Sequence, residues 1–176
     1  QHLSELVDEQ DDGKYCEVID ANAVCDWHSD EDKTIPDYSD IYGQEYAKKA
    51  MLTAVAGRHN ILLMGPPGAG KTMLVSRIPT IMPCMSKNEQ LELACIYSIA
   101  GKLGGRPDMS VRPFRAPHHS ITSAALIGGG RLVEPGEVSL ASKGVLFLDE
   151  LTRFDTRVVE QLREPLESGG IVINRI

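Results

Sequence analysis

The stretch Gly65-Pro66-Pro67-Gly68-Ala69-Gly70-Lys71-Thr72 constrains this chain more than any other part of it. It fits G-x-x-x-x-G-K-[ST], with an apolar run, Ile61 to Met64, directly before it and helical spacing directly after it. The run predicts a strand buried on both faces that ends in a Gly/Pro turn. Residues 70 to 78 place Met73, Leu74 and Ile78 on one helix face, and Pro79 marks the end. A glycine-rich loop between such elements folds so that successive backbone N–H groups point inward, a cradle for phosphate oxygens. Lys71 is placed to pair with the β- and γ-phosphates and the Thr72 hydroxyl to ligate Mg²⁺. The expected nucleotide-binding set is Gly65, Pro66, Pro67, Gly68, Ala69, Gly70, Lys71, Thr72 and Met73, with ATP and Mg²⁺ as ligands.

A second apolar run, Val145-Leu146-Phe147-Leu148, ends in Asp149-Glu150. Ligands of parallel sheets bind outside the carboxyl ends of the strands, so Asp149 is expected to hold the Mg²⁺ together with Thr72. Glu150, beside the γ-phosphate, is expected to orient and polarise the attacking water. Lys71 and Glu150 are thus the expected catalytic residues.

Around these motifs the chain alternates helical and extended signals. Gln44 to Ala56 carries Ala47, Ala50, Met51, Ala54 and Val55 at helical spacing, with Gly57 as the stop. Ser86-Lys87-Asn88-Glu89 has the capping-box pattern and predicts a helix from about Lys87 to Ile99. Residues 101 to 111 read as a loop and Val111 to Pro117 as a short extended segment. Two short helices, Ile121 to Ile127 and Gly136 to Ser142, flank a flexible or hairpin insertion that begins with three glycines. Asp155 caps a helix running to Ser168 that Pro165 should kink, and Ile171 to Ile176 alternates like a strand.

Charge divides the chain. Residues 1 to 40 hold 13 acidic and 2 basic side chains, and residues 41 to 176 hold 12 acidic and 16 basic ones, within a net charge of -7. Residues 1 to 36 are therefore expected to be an acidic linker or the tail of a preceding domain, and residues 37 to 176 a folded core. The overall charge excludes a basic coat over the whole molecule, and the mildly basic core permits DNA contact. The longest aliphatic runs are four residues, against the roughly 20 needed to span a bilayer, so no membrane segment is expected. The opening residues carry no secretory pattern, and the cytoplasm is the expected location.

Cys16, Cys25, Cys84 and Cys95 are scattered, without a Cys-x-x-Cys pair, and read as ordinary small apolar residues. His118 and His119, taken as neighbours on an extended segment, should point to opposite sides and act structurally rather than as metal ligands. Arg106, Arg112, Arg115 and Arg131 lie in or beside glycine-rich segments. Contact with nucleic acid or a neighbouring subunit, and plain solvated loop charge, are both open readings for them.

Four strings together resemble one family: Gly65 to Thr72, Arg112-Pro-Phe-Arg-Ala-Pro-His-His-Ser120, Gly128-Gly-Gly130 followed by Glu134-Pro-Gly-Glu-Val-Ser-Leu140, and Gly144 to Leu151. They resemble the bacterial magnesium-chelatase-like AAA+ ATPases of the ComM (YifB) type, and the two middle strings separate that group from the true chelatase subunit. The resemblance implies an α/β P-loop core, a three-layer αβα sandwich around a parallel sheet. The fourth core strand's sensor Asn, the arginine finger and the helical lid should then lie beyond Ile176. It further implies that Ile41, Tyr42 and Gly43 line the adenine pocket. Gly128 to Gly136 becomes a hairpin directed at substrate, with Arg131 and Arg115 as possible contacts. The implied whole is a homo-oligomer, a hexameric ring that turns ATP into ADP and works on DNA in branch migration. A chelatase-type ATPase that drives a protein partner is the competing reading, and DNA-stimulated hydrolysis separates the two. A small-molecule kinase is less well supported, because Glu150 directly after Asp149 favours water as the acceptor.

Overall fold

The computed structural model describes residues 37–105, 110–130 and 133–171. The expectations for residues 1 to 36, for Arg106 and Arg131, and for all but the first residue of the strand expected over Ile171 to Ile176 lie outside them.

A 3-10 turn over Tyr38–Asp40, closed by a reciprocal capping box between Asp37 and Asp40, leads into the fold. Helix α1, Glu45–Ala56, follows, with Met51 wholly buried. Gly57 ends it, but with φ at -87° rather than left-handed; Arg58 takes the left-handed conformation instead, at φ 52°. Helix α2, Lys71–Ser76, gives way to a 3-10 turn over Ile78–Ile81 that accommodates Pro79. Helix α3, Lys87–Ile99, starts on the capping box read from the sequence: Ser86 accepts from the Glu89 N–H and the Glu89 carboxylate from the Ser86 N–H. Strand β1 is Phe114–Arg115 and helix α4 Ser123–Ile127, capped by Thr122. Strands β2, Gly128–Gly129, and β3, Glu134–Pro135, pair antiparallel, which makes the glycine-rich insertion a hairpin. Helix α5, Glu137–Leu140, and strand β4, Val145–Leu146, follow.

The helix expected over 155 to 168 is two: α6, Thr156–Glu160, and α7, Arg163–Ser168. The break falls at Gln161, four residues before Pro165, where the missing proline N–H and the bulk of its ring disrupt the ladder.

Strands β1 and β4 are parallel, with Phe114 beside Val145 and Arg115 beside Leu146. The Phe147 N–H continues the ladder onto the Arg115 carbonyl at 2.8 Å. Side chains alternate across β4 and its extension. Val145 and Phe147 join the cluster of Tyr38, Ile41, Met51, Leu74, Val75 and Ile78, whereas Leu146 and Leu148 join Leu126, Val158 and Leu162. This strand is therefore covered on both faces, as an interior strand of an α/β sheet must be. A third cluster, Met85, Leu93, Tyr97 and Leu140, fastens α3 to α5, and the Tyr97 hydroxyl donates to the Leu140 carbonyl at 3.2 Å.

The run Ile61 to Met64 corrects the sequence reading. It has no ladder partner among the described residues, and Ile61, Leu62 and Met64 are exposed. Only Leu63 packs on the core. Burial on two faces needs neighbouring strands, and the one parallel pair described does not supply them. The cysteines also depart from expectation: Cys95 is exposed and free, and Cys84 is disulfide-bonded. Scattered spacing carries no signal for such a pairing.

Two arginines that sequence alone left open prove to be structural anchors. Arg112 is 8% exposed, and its guanidinium donates to the carbonyls of Pro83, Cys84 and Lys143 and to the Glu89 carboxylate. Arg115 meets Glu137 in a bidentate pair at 2.6 and 2.7 Å. The Arg115 hydrogen bonds hold the Glu137 carboxyl below the usual carboxylate range, against the opposing effect of burial. A lowered folded-state pKa means that this stabilisation is present above the unfolded carboxyl value and is lost as pH falls through the folded value. Glu137→Gln is therefore expected to flatten the acid side of the pH–stability curve below the ordinary Glu pKa. Urea midpoints measured across pH for both proteins check this, and parallel curves would contradict it.

Candidate nucleotide site

The phosphate loop closes through local geometry. Gly68 and Gly70 sit at φ 79° and 78°, a region open to glycine and costly for residues with a Cβ, which lets the backbone reverse before α2 begins at Lys71. The Ala69 N–H bonds the Pro66 carbonyl across the turn at 3.3 Å. The Lys71 ammonium folds over the loop and donates to the carbonyls of Gly65 and Pro66 at 2.9 and 2.8 Å, so its charge stays at the loop itself. Met73 is 44% exposed beside it.

Asp149 and Thr72, far apart in sequence, meet here. Thr72 Oγ1 donates to Asp149 Oδ2 at 3.2 Å, and the Glu150 N–H donates to Asp149 Oδ1 at 2.9 Å. A hydroxyl and a carboxylate at this separation, both exposed, suit the hard oxygen coordination of Mg²⁺, which keeps waters and substrate phosphates as its remaining ligands. No group of three or more His, Cys, Asp or Glu side chains converges among the described residues, and none is needed for a cation held this way.

Glu150 follows in the left-handed conformation, φ 52° and ψ 50°, a strained state for a residue with a Cβ. Its carboxylate accepts from Arg153 at 2.7 Å. Arg153 was not singled out by the sequence reading; its only signal there is a charge three positions beyond the acid.

The expected adenine-side residues divide. Ile41 is 2% exposed and belongs to the core, Tyr42 is 98% exposed, and Gly43 is left-handed at φ 65°. Gln44, also missed, ties this segment to the loop, its side-chain amide donating to the Ala69 carbonyl at 3.5 Å.

The histidines correct another expectation. A turn at His118–Ile121, closed by the Ile121 N–H on the His118 carbonyl at 3.0 Å, replaces the extended backbone. The two rings consequently lie on the same side, with centroids 4.0 Å apart, and His119 meets the Phe154 edge. His118 Nδ1 shares a 2.8 Å hydrogen bond with the Ser120 hydroxyl. Partial desolvation and the neighbouring Arg153 hold His119 below the ordinary imidazole pKa. Among the expected substrate contacts, Arg115 is engaged by Glu137.

A parallel α/β core with a phosphate loop and an acidic strand end is the P-loop class of nucleotide-binding protein. Comparison with known proteins narrows it: residues 37–176 match the family model for magnesium chelatase, subunit ChlI, and the chain belongs to that family. It is 50% identical over 143 residues to competence protein ComM of Haemophilus influenzae, a match covering 81% of this chain and 28% of that protein. To YifB of Escherichia coli it is 50% identical over 139 residues, 79% of this chain and 28% of the relative. The magnesium-chelatase 67 kDa subunit of Chlorobaculum parvum is more distant, 28% identical over 140 residues, 78% of this chain and 20% of that protein. Within the family the chain is thus of the ComM/YifB type, and it spans little more than a quarter of those relatives' length. Among the described residues no helix is long and apolar enough to cross a membrane.

Proposed function

We propose that this chain forms the ATP-binding, Mg²⁺-dependent hydrolytic part of an AAA+ motor that acts on DNA. The contact between Thr72 and Asp149 carries the reading, because it joins the start of the phosphate-loop helix to the end of a parallel strand where one Mg²⁺ serves both. Lys71 and the backbone N–H groups of Gly68 to Thr72 would take the phosphates, and Mg²⁺ held by Thr72 and Asp149 would offset their charge. Glu150 orients water in line with the γ-phosphate, whose bond to the β-bridging oxygen breaks to leave ADP and phosphate. Ile41, Tyr42 and Gly43 border the adenine, the exposed Tyr42 ring offering the stacking face. The active form in this reading is a cytoplasmic homo-oligomeric ring, hexameric, in which a neighbouring subunit supplies the arginine finger and segments beyond Ile176 supply the remaining sensors. The 1 to 36 segment acts as linker, and Arg131 is the candidate substrate contact, with Arg115, already paired with Glu137, as the second.

DNA is favoured by the basic excess over residues 41 to 176 and by likeness to a competence protein. The weaker likeness to a magnesium-chelatase subunit supports the second reading, hydrolysis that remodels a protein partner. Phosphate release by the complete native protein, with and without DNA, decides between them. The proposal expects Mg²⁺-dependent hydrolysis that EDTA abolishes and DNA accelerates several-fold. Hydrolysis indifferent to DNA would leave the protein-remodelling reading in its place.

A further inference from the structure

The β2–β3 hairpin is too small to hold its own direction. Its ladder is Gly128 beside Pro135 and Gly129 beside Glu134, and hairpins are marginal on their own even when longer. Gly128, Gly129 and Gly130 sit at φ 116°, 106° and 83°, so no side chain stiffens that arm. Helix α5 starts directly after the other arm, and its N-cap, Gly136, brings no capping side chain. The backbones meet closely here, for a Cβ on Gly136 would collide with the Gly128 nitrogen and the Leu126 carbonyl. The hairpin base and the start of α5 therefore move as one body, and whatever holds α5 aims the hairpin.

Glu137, the first residue of α5, supplies that hold. Its carboxylate accepts from Arg115 Nε and Nη2 at 2.6 and 2.7 Å, with both side chains more than half buried. A charge-assisted bidentate pair fixes orientation as well as distance. Arg115 in turn belongs to β1, and its carbonyl accepts from the Phe147 N–H at 2.8 Å, so the anchor reaches the parallel ladder of the core. The fork of Arg115 that would clasp a phosphate is thus engaged by Glu137.

We propose that Arg115 and Glu137 are positioning residues for nucleic-acid binding, their pair holding the β2–β3 hairpin at the angle in which its loop meets the phosphates of a DNA strand. Arg115 then acts through Glu137 and does not touch the strand. The inference rests on the DNA reading above and turns the candidate contact at Arg115 into an indirect one. Holding the hairpin in its bound pose raises affinity by removing the cost of ordering it on binding. Charge alone argues the opposite sign: loss of the Glu137 carboxylate takes a negative charge from the hairpin base and frees Arg115, which strengthens attraction to phosphates. The direction of the change in Glu137 variants therefore separates positioning from simple electrostatics.

The test uses the complete native protein and a fluorescein-labelled single-stranded DNA oligonucleotide, with binding followed by anisotropy across a salt series. Thermal melts set the measuring temperature below the transition of every variant. Glu137→Gln is expected to weaken binding about tenfold with the salt slope unchanged, since pre-organisation is lost and no phosphate contact is. Glu137→Asp keeps the charge but shortens the reach, and is expected to weaken binding in the same direction. Arg115→Gln is expected to match Glu137→Gln, again without a change of slope. Glu92→Gln, which removes a carboxylate paired with Lys143 instead of the hairpin base, should leave affinity as it is. Binding by Glu137→Gln that equals or exceeds the parent's overturns the positioning role and leaves the DNA reading standing. A salt slope lowered by about one in Arg115→Gln makes Arg115 a direct phosphate contact and also overturns it. Failure of the unsubstituted protein to bind the oligonucleotide overturns the DNA reading and this inference with it.

Discussion

Glu150→Gln is expected to lower ATP turnover by about 10²–10⁴-fold, the range for loss of a general acid–base group, while ATP binding persists. The amide keeps the side chain's shape and removes the negative charge that polarises water. The Thr72–Asp149 contact at 3.2 Å and the two Lys71 contacts at 2.9 and 2.8 Å do not depend on the Glu150 side chain. The substitution also breaks the exposed pair with Arg153, at a stability cost of about 1 kcal/mol or less. Turnover from phosphate release and affinity from calorimetry, both on the complete native protein, separate the two effects. Equal turnover in variant and parent would remove Glu150 from the mechanism.

Arg112→Ala is expected to cost about 3 kcal/mol of folding stability, the scale of breaking a buried charge network. Its guanidinium serves acceptors from three parts of the chain: Pro83 and Cys84 before α3, Glu89 in the first turn of α3, and Lys143 before β4. Removal leaves those carbonyls without this donor and loosens the capping box in which Glu89 takes part. Arg112→Lys recovers little, because one ammonium cannot reproduce a planar fork across separated acceptors. Urea unfolding gives the number directly, and a change below about 0.5 kcal/mol would place Arg112 among ordinary surface positions.

Local signals were legible in the sequence, and signals that depend on partners were not. The Ser86–Glu89 capping box, the Gly68 and Gly70 turn and the Asp155 cap are written in a few adjacent residues, and each is present. The extended segment over 111 to 117 and the strand at Val145 were legible locally, whereas the parallel pairing of Phe114–Arg115 with Val145–Leu146 fits the parallel sheet that the family resemblance implies. Ile61 to Met64 was misjudged because an apolar run reports what a segment prefers to bury, while strand pairing depends on neighbours elsewhere in the chain. His118 and His119 were misjudged for a local reason, the turn that sets their rings side by side. At the site, Lys71, Thr72, Asp149 and Glu150 could be read from motif spacing, whereas the Glu150–Arg153 pair, the Gln44 tie and the Arg115–Glu137 pair arise only once the chain is folded.

Calorimetric titration of this chain with ATP and Mg²⁺, beside Lys71→Ala, tests the central claim most directly. The exposed ammonium supports only the loop carbonyls of Gly65 and Pro66, so its removal leaves the core clusters untouched. Saturable binding that the substitution abolishes is the predicted result. Binding of equal strength in both proteins would contradict the assignment of this loop as the phosphate site.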